Sequence, residues 1–168
     1  PDVLRAAREA RPDAFIIYKP HPDVESGNRQ GAIPDADVLR HANVILRDFP
    51  MGRLLPLVHE VHTLTSQTGF EALLRGVKVF TYGGPFYAGW GLTEDRQTFP
   101  RRKARLTLDE LVAGALLLYP SCYDWQTGNF CRAEDVCCRL LQPDGQMRGR
   151  VWARFATVAR GFLRRMGR

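Results

Sequence analysis

The sequence has 168 residues, is 45% hydrophobic and 25% charged, and carries a formal net charge of +6. That is the size and composition of one ordinary globular domain, and with no run approaching eighteen uninterrupted apolar residues no transmembrane helix is predicted. The charge is uneven: residues 147–168 hold seven Arg and no acidic residue, and setting these seven aside leaves 17 basic against 18 acidic residues, a net of −1. A near-neutral body with a basic tail argues against a nucleic-acid-binding surface built into the fold.

Pro1-Asp2-Val3 reads as the first turn of a helix over Asp2–Ala10, with Val3, Leu4, Ala7 and Ala10 at helical spacing. A chain that opens in mid-helix is expected to be a fragment whose first strand lies upstream. Ala14–Tyr18 is a short apolar run rich in β-formers, which predicts a buried parallel strand. It stops at Lys19-Pro20-His21-Pro22, because two prolines cannot continue a central strand. A polar loop follows through Gly31. A helix is predicted over Asp35–His41, a strand over Asn43–Leu46, a short helix over Gly52–Val58 and a strand over Val61–Thr65. The helix Thr68–Arg75 carries a capping-box pattern at Thr68 and Glu71, an apolar face of Phe70, Leu73 and Leu74, and Gly76 as its stop. A strand over Val77–Thr81 comes next. The helix Thr107–Tyr119 has its own capping box at Thr107 and Glu110, and further helices are predicted over Arg132–Leu141 and Arg150–Met166.

Strands alternating with helices predict an α/β fold, a Rossmann-like parallel sheet with helices on both faces. In such sheets ligands sit at the carboxyl ends of the strands. The loops leaving strands 14–18, 61–65 and 77–81 are therefore expected to share one cleft.

Three clusters in those loops could carry chemistry. In the first, Lys19 supplies a fixed positive charge, and the His21 imidazole, held between Pro20 and Pro22, can donate to a phosphate or a base carbonyl. The competing reading is a rigid turn with an exposed histidine. The second is Thr65-Ser66-Gln67-Thr68-Gly69, between a strand and a helix. Its N–H groups and hydroxyls would surround an anion, and Gly69 would let a ligand approach the backbone. Simple capping by Ser66 or Thr68 explains the same residues. Glu71 could hold a ribose diol or serve the capping box. The third cluster runs from Tyr82 to Thr93, with four glycines and the aromatics Phe86, Tyr87 and Trp90. It reads as a sugar- or base-lining loop, or as a small core in which Phe86 and Trp90 plug the surface. Phe86 is the member best suited to a structural role.

Glu60 and His62 flank a strand start, facing either cleft or solvent. Asp95, Arg96, Arg101 and Arg102 read as solvated surface. Cys122, Cys131, Cys137 and Cys138 do not repeat a C-x-x-C pair, so zinc is weakly supported and no oxidising compartment is required. No metal site is predicted. The tail places Trp152, Phe155, Val158, Phe162 and Met166 at helical spacing among arginines. It reads either as a membrane-surface helix or as a terminal helix packing on the rest of the protein.

Taken together, Tyr18-Lys19-Pro20-His21-Pro22-Asp23, the run Val61–Leu73 around Thr65-Ser66-Gln67-Thr68-Gly69, and Gly84-Pro85-Phe86-Tyr87-Ala88-Gly89-Trp90-Gly91-Leu92-Thr93 resemble the KpsC family of capsule polysaccharide Kdo-transferases. The resemblance runs from about Pro1 to Leu140, and the order and spacing of three motifs make it specific. It implies a GT-B fold, two Rossmann-like halves around a cleft. Residues 1–145 would be the C-terminal, nucleotide-binding half without its first strand, and 146–168 a basic amphipathic tail helix. It also implies retaining transfer of Kdo from CMP-β-Kdo to a Kdo linker on a lysophospholipid, with CMP-Kdo as donor substrate and no cofactor. The implied partners are the nucleotide sugar, the lipid-linked Kdo acceptor, the missing N-terminal half and a capsule-export complex. The implied location is cytoplasmic, peripheral on the inner membrane, with the Arg-rich tail as the membrane contact. The CMP or donor site maps onto Lys19, His21, Pro22, Ser66, Gln67, Thr68, Gly69, Glu71, Tyr87 and Trp90. The carboxylate nucleophile of a retaining reaction is expected upstream, so no catalytic residue is assigned and the fragment alone is expected to be inactive. A transferase using another CMP-sugar, of the sialyltransferase kind, and a non-catalytic capsule-assembly module are the alternatives.

Overall fold

The computed structural model describes residues 2–25 and 31–141. The predicted helix Arg150–Met166, and with it the whole tail 146–168, lies outside them. The chain forms two compact units, 1–111 and 112–168, a division that falls inside the predicted 1–145 domain.

The first unit opens with α1 (Asp2–Ala10), which buries Leu4 and Ala7. Leu4 packs with Val38 and Ala42, and Ile16, Tyr18, Ile33 and Ile45 close over them. β1 (Ile17–Tyr18) pairs in parallel with β2 (Val44–Ile45), Ile17 opposite Val44. Flanking bonds from Asn43 N–H to the Ile16 carbonyl and from Leu46 N–H to the Tyr18 carbonyl, both 2.8 Å, lengthen the pairing. Phe15, expected in a buried strand, is 71% exposed, so regular β structure is confined to the last residues of the predicted run. Arg8 staples α1 to both strand entrances, donating to the carbonyls of His41, Pro12 and Ala14 and to Asn43 Oδ1. Two short helices, α2 (Pro22–Glu25) and α3 (Asp35–Val38), flank these strands.

After α4 (Met51–Leu54) and a 3₁₀ turn at Leu55–Leu57, the chain builds a second parallel sheet in the order β3-β4-β5. β3 (Glu60–Thr63) and β4 (Lys78–Thr81) align His62 with Phe80 and Thr63 with Thr81. The connection is α5 (Thr68–Leu73), whose Gly69, Phe70, Ala72 and Leu73 are buried. Gly76, at φ +70, stops the helix. Val77 N–H bonds the Ala72 carbonyl and Gly76 N–H bonds the Leu73 carbonyl, the paired bonds of a Schellman stop. β5 (Glu94–Asp95) is an unpredicted edge strand, because a two-residue acidic segment carries no period-2 signal. The single predicted sheet is thus two parallel sheets of two and three strands among the described residues.

The predicted helix Thr107–Tyr119 is α6 (Leu108–Val112) followed by a π-helical stretch, Ala113–Leu118, in the second unit. The capping box forms as expected. Thr107 N–H donates to Glu110 Oε2 at 2.7 Å and Glu110 N–H to Thr107 Oγ1 at 3.2 Å. The Thr107 N–H, with the Thr107 hydroxyl donating to the same oxygen at 2.9 Å, holds the Glu110 carboxyl below the usual carboxylate range. Among its described residues, the second unit continues with an unpredicted antiparallel hairpin, β6 (Cys122–Asp124) with β7 (Asn129–Cys131), and the predicted helix α7 (Ala133–Leu141). Buried Asp124 joins them, accepting Gln126 N–H within the turn and Arg139 from α7. All four cysteines are free thiols, and Cys137 and Cys138 lie exposed on α7.

Because the box at Thr107 satisfies the Thr107 and Glu110 N–H groups at the helix start, Thr107→Ala should destabilise the protein by about 1 kcal/mol in denaturant titration. A change within a few tenths would mean the helix start is held by other contacts.

Candidate functional site

β3 ends in a turn built from hydroxyls. Buried Thr63 Oγ1 accepts Ser66 N–H at 3.2 Å. Ser66 Oγ accepts Thr68 N–H at 3.2 Å and donates to Thr68 Oγ1 at 3.1 Å. The helix start is therefore closed by Ser66, and Glu71 N–H bonds the Gln67 carbonyl as an ordinary helical bond. The capping box expected between Thr68 and Glu71 does not form, because Ser66 has already taken the Thr68 N–H. That removes the reach-back reading of Glu71. Gln67 is exposed, and Ser66 and Thr68 are half-buried. α5 has six residues, too few for a substantial dipole, so an anion here would be met by hydroxyls and amides.

The glycine-rich loop after β4 packs under this turn. Tyr87 is fully buried and its hydroxyl donates to the Ser66 carbonyl at 2.5 Å. Burial, with the Asp95 charge nearby, pushes its pKa up to about 12. A Cβ on Gly69 would collide with the Tyr87 hydroxyl and ring, and one on Gly83 would press on the Leu64 carbonyl. Gly69 is thus close-packed against Tyr87 and does not open the backbone to a ligand. Tyr87, expected at the ligand, sits beneath the turn. Trp90 is half-buried, donates its indole N–H to the Phe86 carbonyl at 2.8 Å and carries the Arg102 guanidinium 5.7 Å over its ring. Phe86 is 46% exposed and packs on Phe70 and Tyr87.

Two residues that read as solvated surface hold this loop. Asp95 accepts Thr81 Oγ1 and Thr93 Oγ1, both at 2.6 Å, and Gly89 N–H at 2.7 Å. Arg102 donates to the Pro85 and Ala88 carbonyls, both at 2.6 Å, and stacks on Phe99. No local pattern marks either one, since their partners lie up to 17 residues away.

On the β3–β4 sheet, His62 stacks on Phe80 with centroids 4.5 Å apart. Its Nδ1 lies 3.0 Å from the Tyr82 hydroxyl and its Nε2 3.5 Å from Glu60, which also binds Arg11 at 2.8 Å. Of the readings cleft or solvent, neither holds: His62 joins a half-buried network. Burial lowers the His62 pKa, only partly opposed by Glu60. Burial alone would raise the Glu60 pKa, but Arg11 and His62 outweigh it and bring it below the usual range. Neutral His62, donating from Nε2 to Glu60 and accepting at Nδ1 from Tyr82, satisfies all partners.

The first cluster sits at the end of the other sheet. Lys19 Nζ donates to the Arg47 carbonyl at 2.5 Å and reaches the Leu46 carbonyl at 3.5 Å, so the loop after β1 is tied to the end of β2. Those acceptors are neutral carbonyls. His21 is exposed, and its carbonyl accepts Val24 and Glu25 N–H at the start of α2, which Pro22 opens. Of the three loops expected in one cleft, those after β3 and β4 interlock through the Tyr87 bond. The loop after β1 is bonded instead to β2.

Residues 1–126 match the family model described as capsule polysaccharide biosynthesis protein. The chain belongs to that family. It is 53% and 52% identical over 141 residues to the capsule polysaccharide modification proteins LipA of two Neisseria meningitidis strains, covering 84% of this chain and 20% of each relative. It is 47% identical over 119 residues to the lipopolysaccharide-processing protein LpsZ of Rhizobium meliloti, 71% of this chain and 27% of that one. The chain thus spans about a fifth to a quarter of the length of these relatives. Its structure is similar to that of Thermosulfurimonas dismutans KpsC, beta Kdo 2,7 transferase, at 43% identity and TM-score 0.73 over 83% of this chain and 45% of that one. It is equally similar to that organism's KpsC, beta Kdo 2,4 transferase, at 40% identity and TM-score 0.75 over 84% and 44%. These likenesses establish the parallel α/β architecture as that of a part of KpsC. No helix among the described residues is long and apolar enough to cross a membrane.

The depressed His62 pKa has a sign. The unfolded histidine, near 6.5, binds a proton that the folded one resists. His62 therefore favours the folded state fully above about pH 7, and that contribution is lost as pH falls below 6.5. The melting temperature should drop between pH 7 and pH 5.5, and less steeply in His62→Gln. Parallel pH profiles for the two proteins would show that His62 is not the group responsible.

Proposed function

We propose that this chain supplies the donor-nucleotide half of a glycosyltransferase of GT-B type, which transfers Kdo from CMP-β-Kdo to a lipid-linked Kdo acceptor in capsule biosynthesis. The observation that carries the reading is the near-equal likeness to a beta Kdo 2,7 transferase and a beta Kdo 2,4 transferase. Two such enzymes share the sugar they move and differ in the acceptor hydroxyl. A segment similar to both to the same degree suits what they share, the donor.

In this reading the CMP phosphate lies against the Ser66–Thr68 turn. The Thr68 hydroxyl and the Gln67 amide are the donors, with Ser66 Oγ holding Thr68 in place through both of its bonds, and Gln67 is exposed enough to reach a ligand. The Lys19 charge and the His21 imidazole complete an electropositive rim. Glu71, freed from the capping box, is placed to accept from a ribose hydroxyl. Tyr87, Gly69 and Trp90 serve as support. When the sugar–phosphate bond breaks, negative charge grows on the phosphate, and donors already fixed in place stabilise it more in the transition state than before. A phosphate monoester leaving group needs no further cofactor in this scheme. Retention of configuration suggests two displacements through a carboxylate nucleophile, a role assigned to no residue of this chain. The peripheral location on the cytoplasmic face of the inner membrane, with the arginine-rich tail against anionic lipid, belongs to the same proposal.

Calorimetric titration of the full-length protein with CMP tests it. His21→Ala and Ser66→Ala should each weaken binding by about 1–3 kcal/mol, the size of a lost hydrogen bond to a charged group. Binding of CMP unaffected by either substitution would move the site elsewhere. A folded full-length protein that binds no CMP would leave the capsule-assembly module as the better reading.

A further inference from the structure

The loop after β4 is held to an unusual degree for a surface loop, and the holding converges on one residue. Arg102 fixes the carbonyls of Pro85 and Ala88, the Trp90 indole fixes that of Phe86, and Asp95 fixes the N–H of Gly89. These contacts bracket Tyr87 on both sides. Its ring meets those of Phe70 and Phe86, and Gly69 leaves it the space to lie against α5. Phenylalanine would fill such a place equally well. The hydroxyl is what tyrosine adds, and it makes one bond out of the loop, to the Ser66 carbonyl.

That carbonyl already accepts Gly69 N–H at 3.1 Å, so it is not an orphan that Tyr87 must rescue. The second bond instead fixes its direction. In a trans peptide the C=O and the next N–H point opposite ways. With the Ser66 carbonyl drawn toward buried Tyr87, the Gln67 N–H is aimed away from the core, beside the Ser66 and Thr68 hydroxyls.

We propose that Tyr87 is a positioning residue that sets the Ser66–Gln67 peptide plane and so aims the donors of this turn at an anionic ligand. The proposal rests on the donor-site reading above and corrects the place of Tyr87 within it, from contact to support. Asp95 and Arg102 act behind Tyr87 by keeping the loop in register. Tyr87 does not touch the ligand, and its effect passes wholly through the turn.

The test is a double-mutant cycle of Tyr87→Phe and Ser66→Ala in the full-length protein, read by CMP calorimetry and by melting temperature. Tyr87→Phe should weaken CMP about threefold to tenfold. The double variant should bind more weakly than Ser66→Ala alone, because that substitution keeps the backbone carbonyl that Tyr87 holds and the Gln67 N–H that follows it. Thr107→Ala serves as the control for stability, lowering the melting temperature without changing CMP affinity. Asp95→Asn, which keeps the shape and weakens the anchor, should weaken CMP in the same direction, so the proposal survives trial even if Tyr87→Phe folds poorly. Ser66→Ala weakening CMP while Tyr87→Phe and Asp95→Asn do not would overturn the positioning role and leave the donor site standing. Failure of wild type to bind CMP would instead remove the donor-site reading and this proposal together.

Discussion

The Asp95 carboxylate receives donors from three stretches of chain: Thr81 at the end of β4, Gly89 in the glycine-rich loop, and Thr93 at the approach to β5. Hydrogen bonds to a charged acceptor contribute about 1.5–3 kcal/mol each, more than neutral ones. The loop they hold needs that contribution, because four glycines between Tyr82 and Thr93 lose more backbone entropy on ordering than other residues would. Asp95 is itself half of β5, so the edge strand and the loop anchor are one feature. Once the loop is fixed, Tyr87 is fixed, and through it the turn after β3. The interlocking of the two loops thus depends on a carboxylate that does not itself contact the turn.

This ordering changes what the aromatic-rich loop is for. Its composition suits a ligand pocket, yet its polar groups are occupied within the protein. The Tyr87 hydroxyl, the Trp90 indole N–H and the Arg102 guanidinium all donate to backbone carbonyls. No buried side-chain nitrogen or oxygen among the described residues lacks a partner. A site needs donors that are ordered before the ligand arrives but not consumed by the protein. The Ser66–Thr68 turn uses the Ser66 hydroxyl and the Thr68 N–H internally, but half-buried to exposed and supported from below it leaves the Thr68 hydroxyl proton and the Gln67 amide to meet that requirement in the proposed site. At the first cluster Lys19 is likewise spent on neutral carbonyls, at the end of β2.

The alternation of strands and helices was legible because hydrophobic period and cap chemistry are local. Thr107 with Glu110, and Gly76 after α5, act within a few residues of themselves, and both ends form as their sequence suggests. The Thr68–Glu71 pattern has the same spacing, yet Ser66 displaces it. A preceding serine can reach the same N–H, and sequence spacing does not rank the two. The three motifs also pointed to the family without any structure, because their order along the chain is itself information. What was not legible depends on distant partners. Asp95 and Arg102 look like surface charges until Gly89 and Pro85 are brought to them. Phe15 looked like core in an apolar run, but only Ile17 and Tyr18 of that run have a neighbouring strand. The hairpin β6–β7 and strand β5 are too short for any periodicity to register.

The two sheets carry their polar clusters on unlike foundations, and this bears on how the halves of such a site respond to change. The turn after β3 is locked from beneath by Tyr87 and, beyond it, by Asp95 and Arg102. The Lys19–His21 segment is tied to the end of β2 by Lys19 on two carbonyls, and it leads into a four-residue helix at Pro22–Glu25 that the Arg47–Glu25 ion pair holds at 3.0 Å. Few buried contacts and short elements mark the parts of a protein that open at low free-energy cost. An anion bridging both clusters would find one side already ordered and would have to order the other. The ordering cost then falls on the His21 side, and binding energy from the rest of the donor offsets it there. In the proposed donor site a turn held from beneath suits the charge that would grow in the transition state, since donors fixed beforehand stabilise it most directly.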